Sequence, residues 1–327
     1  MITIQCYGDS VTEGMMMEGH HTAEYGKKSF PAQLYTLLRD RGYDVSVTNC
    51  GHGGEDVSSI AARMGAIPCY LAKELTVPAD GEWVSLGKRR RVDGRNYDTD
   101  LRICDADPAG EDYCVYLTQM SHDTNPVYFD GKPYEMKTAD DANYIRKIEK
   151  DGKPGFIRSG AQVLTSNFRN ADVNIIYIGI NDGRSLTLAR YLDVMKKCAA
   201  MNGGRYIMLG ATHALFNNWS DVEGSSTEEK YRVYKRACLE AFGTHFVDLY
   251  DEFSHRGLDL ALEKGYFSDI DAARLDEMRS LLGLHILPAE FAYDKTSQGN
   301  VHLSEEGYYV IAELLFERMR QLGYLGM

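Results

Sequence analysis

Four short stretches carry residue types that do chemistry together. "YGDSVTEG", residues 7 to 14, sets Ser10 at the exit of a β-branched run, where glycine lets the backbone bend sharply and a hydroxyl is presented rather than buried. "NCGHGG", residues 49 to 54, spaces Asn49, Gly51 and Gly54 as N-x-G-x-x-G. "GIND" spans residues 179 to 182, and "GNVHLS" spans 299 to 304. Attack by serine on an ester needs a nucleophile, a base to take its proton, and donors aimed at the oxygen that becomes negative. Ser10 can supply the first and His302 the second. The N–H of Gly54, the amide of Asn181 and the N–H of Ser10 can supply the donors. Glycine suits position 54 because a donor loop must approach without a side chain in the way, and an amide suits 181 because it donates without charge. The plainer reading of the first stretch is a strand-to-helix turn with Ser10 as the helix cap.

These blocks must be gathered by the elements around them. Ile2, Ile4 and Cys6 alternate with polar positions as a first strand. "FPAQLYTLLRDRGY" reads as a helix with Pro31 near its start, Leu34, Leu37 and Leu38 on one face, and Gly42 at its end. A second strand, a glycine-rich turn and a second helix follow in "DVSVTNCGHGGEDVSSIAARMG". The near-continuous apolar run of "DVNIIYIGINDG" suits a strand buried on both faces. Helix "LTLARYLDVMKKCAAM", strand "RYIMLGAT", helix "STEEKYRVYKRACLEAFG" and strand "HFVDLY" continue the rhythm, with Ser226 and Glu229 as a capping box. The last helix is "SEEGYYVIAELLFERMRQLG", capped by Ser304. Five strands alternating with helices call for an α/β fold, a parallel sheet covered on both faces. In such a sheet the first three blocks gather at the carboxyl edge.

Residues 66 to 170 break that rhythm with short alternating runs and many Tyr, Asp, Gly and Pro. The Asp130-Gly131 pair between two such runs signals a hairpin. A structureless loop of that length is improbable, so the expectation is an inserted β-rich subdomain over 66–170, interrupting a domain made of 1–65 and 171–327.

The net charge of −12 over 327 residues argues against nucleic acid as a partner. The basic run from Lys88 to Arg91 reads as a solvated hairpin edge. No basic start or continuous apolar stretch precedes the first strand, and no stretch is long enough for a bilayer, so a cytoplasmic chain with no membrane partner is expected. Seven cysteines without a close pair fit reduced thiols. Adjacent His20 and His21 point different ways and make a poor metal chelate, so no metal is expected.

Taken in order, the four blocks resemble those of the SGNH hydrolases, also called the GDSL esterase/lipase superfamily. The resemblance covers roughly residues 1 to 65 and 171 to 327. It assigns the four roles to Ser10, Gly54, Asn181 and His302. It also implies a flavodoxin-like three-layer α/β/α sandwich with strand order 2-1-3-4-5, and no cofactor. The implied activity is a serine esterase removing a small acyl group, such as acetyl, from a carbohydrate-like or other small soluble ester. Lipase, thioesterase and acyltransferase chemistry would use the same machinery, and a non-catalytic ligand-binding protein is the reading from another class. One position departs from the pattern: where the family has an aspartate three residues before the histidine, this chain has Gly299. The missing carboxylate would have fixed the imidazole tautomer and stabilised its cation. The backbone carbonyl of Gly299, the carboxylate of Asp294 and the amide of Asn300 are the available substitutes.

Around these, Asp9, Asp182 and Glu55 read as loop-fixing or helix-start residues, and His52 and His213 as substrate-side candidates. Met15 to Met17 can line a pocket rim or pack under a loop. The tyrosines of the insertion and Trp83 can bind a sugar face, or the insertion can serve stability or homo-oligomer formation.

Overall fold

The computed structural model describes the chain outside residues 16–27, 93–95, 100, 107–111, 115–125, 140–141, 166–170, 183–185, 297–300 and 327. The chain forms two compact units, one of residues 1–53 with 171–327 and one of residues 54–170. The segment 54–65, with its helix Val57–Met64, groups with the second unit.

The first unit is built on a five-stranded parallel sheet in the order β5-β4-β3-β1-β2. Its strands are β1 (Ile2–Gly8), β2 (Val45–Gly51), β3 (Val173–Tyr177), β4 (Tyr206–Leu209) and β5 (Phe246–Val247). Parallel register aligns their carboxyl ends: Gly8 pairs with Gly51 on one side and Tyr177 on the other, Tyr177 with Leu209, and Leu209 with Val247. The helices of this unit, numbered within it, are α1 (Ser10–Glu13), α2 (Phe30–Asp40), α3 (Leu188–Ala199), α4 (Thr227–Phe242), α5 (Leu249–Glu252), α6 (Leu258–Glu263), α7 (Ala272–Gly283) and α8 (Glu305–Gln321).

Side-chain alternation along β3 shows why both faces need cover. Val173, Ile175 and Tyr177 join a core with Phe30, Leu34, Leu37 and Leu38 of α2 and with Ile311, Leu315 and Met319 of α8. Ile176 points the opposite way and is equally buried. α8 packs on α2 and on β4 and β5, while α3 packs on α4 and β4. β1 also buries Gln5, whose Oε1 accepts the Tyr7 hydroxyl at 3.3 Å.

Local signals are realised with two amendments. Ser226 Oγ accepts from the Glu229 N–H at 3.3 Å, but the Glu229 carboxylate reaches the N–H and hydroxyl of Ser225 instead of closing the box on Ser226. "HFVDLY" is a strand only over Phe246–Val247. At Asp248 the chain turns helical, its carbonyl accepting from the Glu252 N–H at 2.8 Å, and a π-helical turn at Phe253–Gly257 carries α5 on into α6.

Within the second unit, nine strands form one antiparallel sheet, and Leu75–Val77 pairs with Gly155–Ile157 as a separate ribbon. The hairpin joining Val127–Phe129 to Lys132–Ala139 turns through Asp130 (φ 47°) and Gly131 (φ 80°), the two positive values of the turn favoured by Asp-Gly. Phe129 and Tyr134 pack edge to face at 5.6 Å, and Leu86, Val127, Met136, Ile145 and Val163 are buried. The Lys88–Arg91 run lies in the strand Val84–Val92. Trp83 is covered by its own neighbours, with Lys137 Nζ 4.4 Å and the Arg146 guanidinium 4.6 Å from the ring centre.

Candidate active site

Gly8 is the last residue of β1, and a side chain there has no room: a Cβ would fall 2.0 Å from Thr12 Oγ1 and 2.5 Å from the Tyr177 carbonyl oxygen. The chain therefore folds straight from strand into the short helix α1. Asp9 caps it, with Oδ1 accepting the Val11 N–H at 3.0 Å, so Ser10 is the first helical residue rather than the cap. Gly14 closes the helix at φ 79° and donates its N–H to the Ser10 carbonyl at 3.0 Å. Freed from capping, the Ser10 hydroxyl meets His302, with Oγ 3.0 Å from Nε2 across a sequence separation of 292 residues.

His302 is held by a short scaffold at the entry to α8. The Tyr293 N–H donates to the His302 carbonyl at 3.0 Å, Ala292 and Leu303 form an isolated bridge, and the Ser304 N–H donates to the Phe291 carbonyl at 2.8 Å. Ser304 Oγ accepts the Gly307 N–H at 3.4 Å as the cap of α8 and donates to the Glu290 carbonyl at 3.0 Å. Burial lowers the His302 pKa from its ordinary value, which favours the neutral ring. A neutral Nε2 facing a hydroxyl is the acceptor that a general base requires, with the proton then assigned to Nδ1.

The second block is laced to the nucleophile helix. Asn49 Oδ1 accepts the Gly51 N–H at 2.9 Å, while Asn49 Nδ2 donates to the Glu13 carbonyl at 3.3 Å and lies 3.4 Å from Ser29 Oγ. A Cβ on Gly51 would lie 2.1 Å from the Glu13 nitrogen, so glycine permits the contact. The His52 N–H donates to the Gly8 carbonyl at 2.9 Å, and the His52 side chain is buried. The Gly53 N–H donates to Glu13 Oε2 at 2.5 Å. Gly54 then opens the second unit with φ 80°, and a Cβ there would meet nothing within 4 Å.

Beneath Ser10, Asp9 is fully buried, and its charge joins burial in raising the pKa of two buried phenols, Tyr177 at the end of β3 and Tyr308 on α8. In the third block Gly179 takes φ 114°, and Asn181 and Asp182 are half-buried in the turn that follows β3. His213 lies in the loop after β4 with Nδ1 3.4 Å from Thr212 Oγ1, and burial pulls its pKa down to about 4.

Asp294 is exposed, and its Oδ1 accepts the Thr296 N–H at 3.1 Å. Gly299 and Asn300, the other two substitutes for the missing aspartate, lie outside the described residues, as do Met16, Met17, His20 and His21. Glu55 belongs to the second unit, where it forms a buried ion pair with Arg63, with N–O distances of 2.7 and 2.9 Å to one carboxylate oxygen.

Sequence reasoning missed the parts played by Glu13 and by the Asn49 side chain. Asn49 was visible in the N-x-G-x-x-G spacing. Glu13 had no separate signal, because the N–H that its carboxylate accepts lies forty residues away.

Five described cysteines, Cys6, Cys50, Cys69, Cys198 and Cys238, are buried and in no disulfide, and burial raises Cys69 and Cys198 to about 12. Among the described residues no group of His, Cys, Asp and Glu could hold a metal ion, and no helix is long and apolar enough to cross a membrane. No family model matches the chain, and neither a curated protein nor a solved structure matches it.

Proposed function

We propose that this protein is a serine esterase that cleaves a carboxylic ester of small acyl chain, acetyl foremost, on a carbohydrate-like substrate in the cytoplasm. The observation that carries the reading is the 3.0 Å approach of His302 Nε2 to Ser10 Oγ. Nucleophile and base within hydrogen-bond reach are the minimum for covalent acyl transfer. In this reading His302 takes the hydroxyl proton as Ser10 Oγ bonds to the ester carbon. The carbonyl π electrons move to oxygen, where the Ser10 N–H and the Asn181 amide stabilise the negative charge. Collapse expels the alcohol, which takes the proton back from His302, and leaves acyl-Ser10. Water, deprotonated by His302, repeats the attack and releases the acid. The acetyl and carbohydrate parts of the proposal rest on the resemblance alone.

A fluorophosphonate tests the reading. Mass analysis is expected to find the adduct on Ser10, with labelling abolished in Ser10→Ala and slowed at least about a hundredfold in His302→Ala. Hydrolysis of p-nitrophenyl acetate is expected to exceed that of the decanoate. An intact, folded protein that takes no label and hydrolyses neither ester would refute the assignment.

A further inference from the structure

Glu13 touches the loop of the second block with three different parts of itself. Its backbone nitrogen lies where a Cβ on Gly51 would clash at 2.1 Å, its carbonyl accepts from Asn49 Nδ2 at 3.3 Å, and its carboxylate Oε2 accepts the Gly53 N–H at 2.5 Å. The last contact is charge-assisted, the stronger kind of hydrogen bond. Gly53 is fitted to it: a Cβ there would lie 3.0 Å from that oxygen and 2.7 Å from Met15 Cε. An ordinary helix-terminal glutamate would extend into water, yet this one is half-buried and spends its oxygen on a backbone donor. Because Glu13 lies on the helix that begins with Ser10, the nucleophile and the 49–53 loop are parts of one hydrogen-bonded body.

Resting on the esterase reading above, we propose that Glu13 is a positioning residue of the acyl-transfer site. Its carboxylate ties the Gly53 peptide to the helix that begins with Ser10, so that the Ser10 hydroxyl and the Ser10 N–H, a donor to the developing oxyanion, are held in one orientation against His302. A donor that is already oriented costs no reorganisation as charge develops. Its loss should therefore fall on kcat and leave KM nearly alone. Removing an oxyanion donor outright costs roughly 10²- to 10³-fold in kcat, and loosening one should cost less, about 10- to 100-fold.

The test uses full-length protein, p-nitrophenyl acetate, and amide hydrogen exchange at Gly53 followed by NMR. Glu13→Ala is expected to lower kcat by about 10- to 100-fold with KM within about threefold, and to speed exchange at Gly53. Glu13→Gln keeps an acceptor oxygen at the same reach and is expected to recover most of both. Gly53→Ala attacks the same contact from the loop side and should reproduce the kcat loss if Glu13→Ala does not fold. An active wild type whose Glu13→Ala and Gly53→Ala variants keep full kcat would overturn the inference while leaving the esterase reading intact. Equal losses in Glu13→Ala and Glu13→Gln would also overturn it, since the acceptor would then not be what matters. A wild type with no ester turnover and no labelling of Ser10 would instead remove the esterase reading, and this inference with it.

Discussion

His302 decides how the reaction should respond to pH. Only the neutral ring can accept the Ser10 proton, so kcat/KM should rise with pH along a single limb as the ring deprotonates. Burial lowers the ring's pKa, which puts the midpoint of that limb below the ordinary imidazole value of about 6.5. A carboxylate bonded to the ring would push the other way, by stabilising the cation. The profile for p-nitrophenyl acetate therefore separates a neutral support from a charged one. A midpoint at or above the ordinary value would indicate an anion at the ring. Asp294 is exposed and caps Thr296, so Asp294→Asn is expected to change kcat by less than about threefold. A loss of a hundredfold would make Asp294 the third member after all.

At the scale of elements, the site depends on α1 seating directly on the end of β2. Asn49 bonds α1 through its side chain, and Gly51 lets the two backbones approach closely. Gly51→Ala forces a methyl to 2.1 Å from the Glu13 nitrogen, a backbone atom that can yield only if α1 moves. A destabilisation of at least about 2 kcal/mol is expected from the urea midpoint, with kcat falling further than stability alone explains. A Gly51→Ala protein with wild-type stability and rate would show that α1 is not held there. The scaffold of His302 is made differently, from backbone hydrogen bonds to 291–293 and the Ser304 cap, so its order comes from the start of α8.

For the whole molecule, burial of imidazoles makes stability depend on pH. His213 is held at about 4 in the folded chain against about 6.5 when unfolded. The unfolded chain then takes a proton that the folded chain refuses as pH falls below 6.5, so this contribution to stability is present above that pH and is lost as pH falls toward 4. Between pH 7.5 and 5 the loss amounts to up to about 2 kcal/mol for this one group. His302 adds to it with the same sign. Urea denaturation at the two pH values should show the fall, and His213→Gln should remove most of it. Equal pH dependence in wild type and variant would mean that the ring gains no such protection in the native state.

The amino-acid order by itself determined what is local. Apolar spacing placed α2 and α8, the unbroken apolar run placed β3 as a strand buried on both faces, and Asp130-Gly131 placed its hairpin. These signals are legible because a backbone's hydrogen-bonding period and a turn's φ values are imposed on neighbouring residues. Only the tertiary structure decided that Glu13 holds Gly53, that β5 stops after two residues, and that Ser10 meets His302. Each of these depends on groups brought together by packing of the sheet and its helices, and a hydrogen bond spanning 292 residues leaves no periodic trace along the chain.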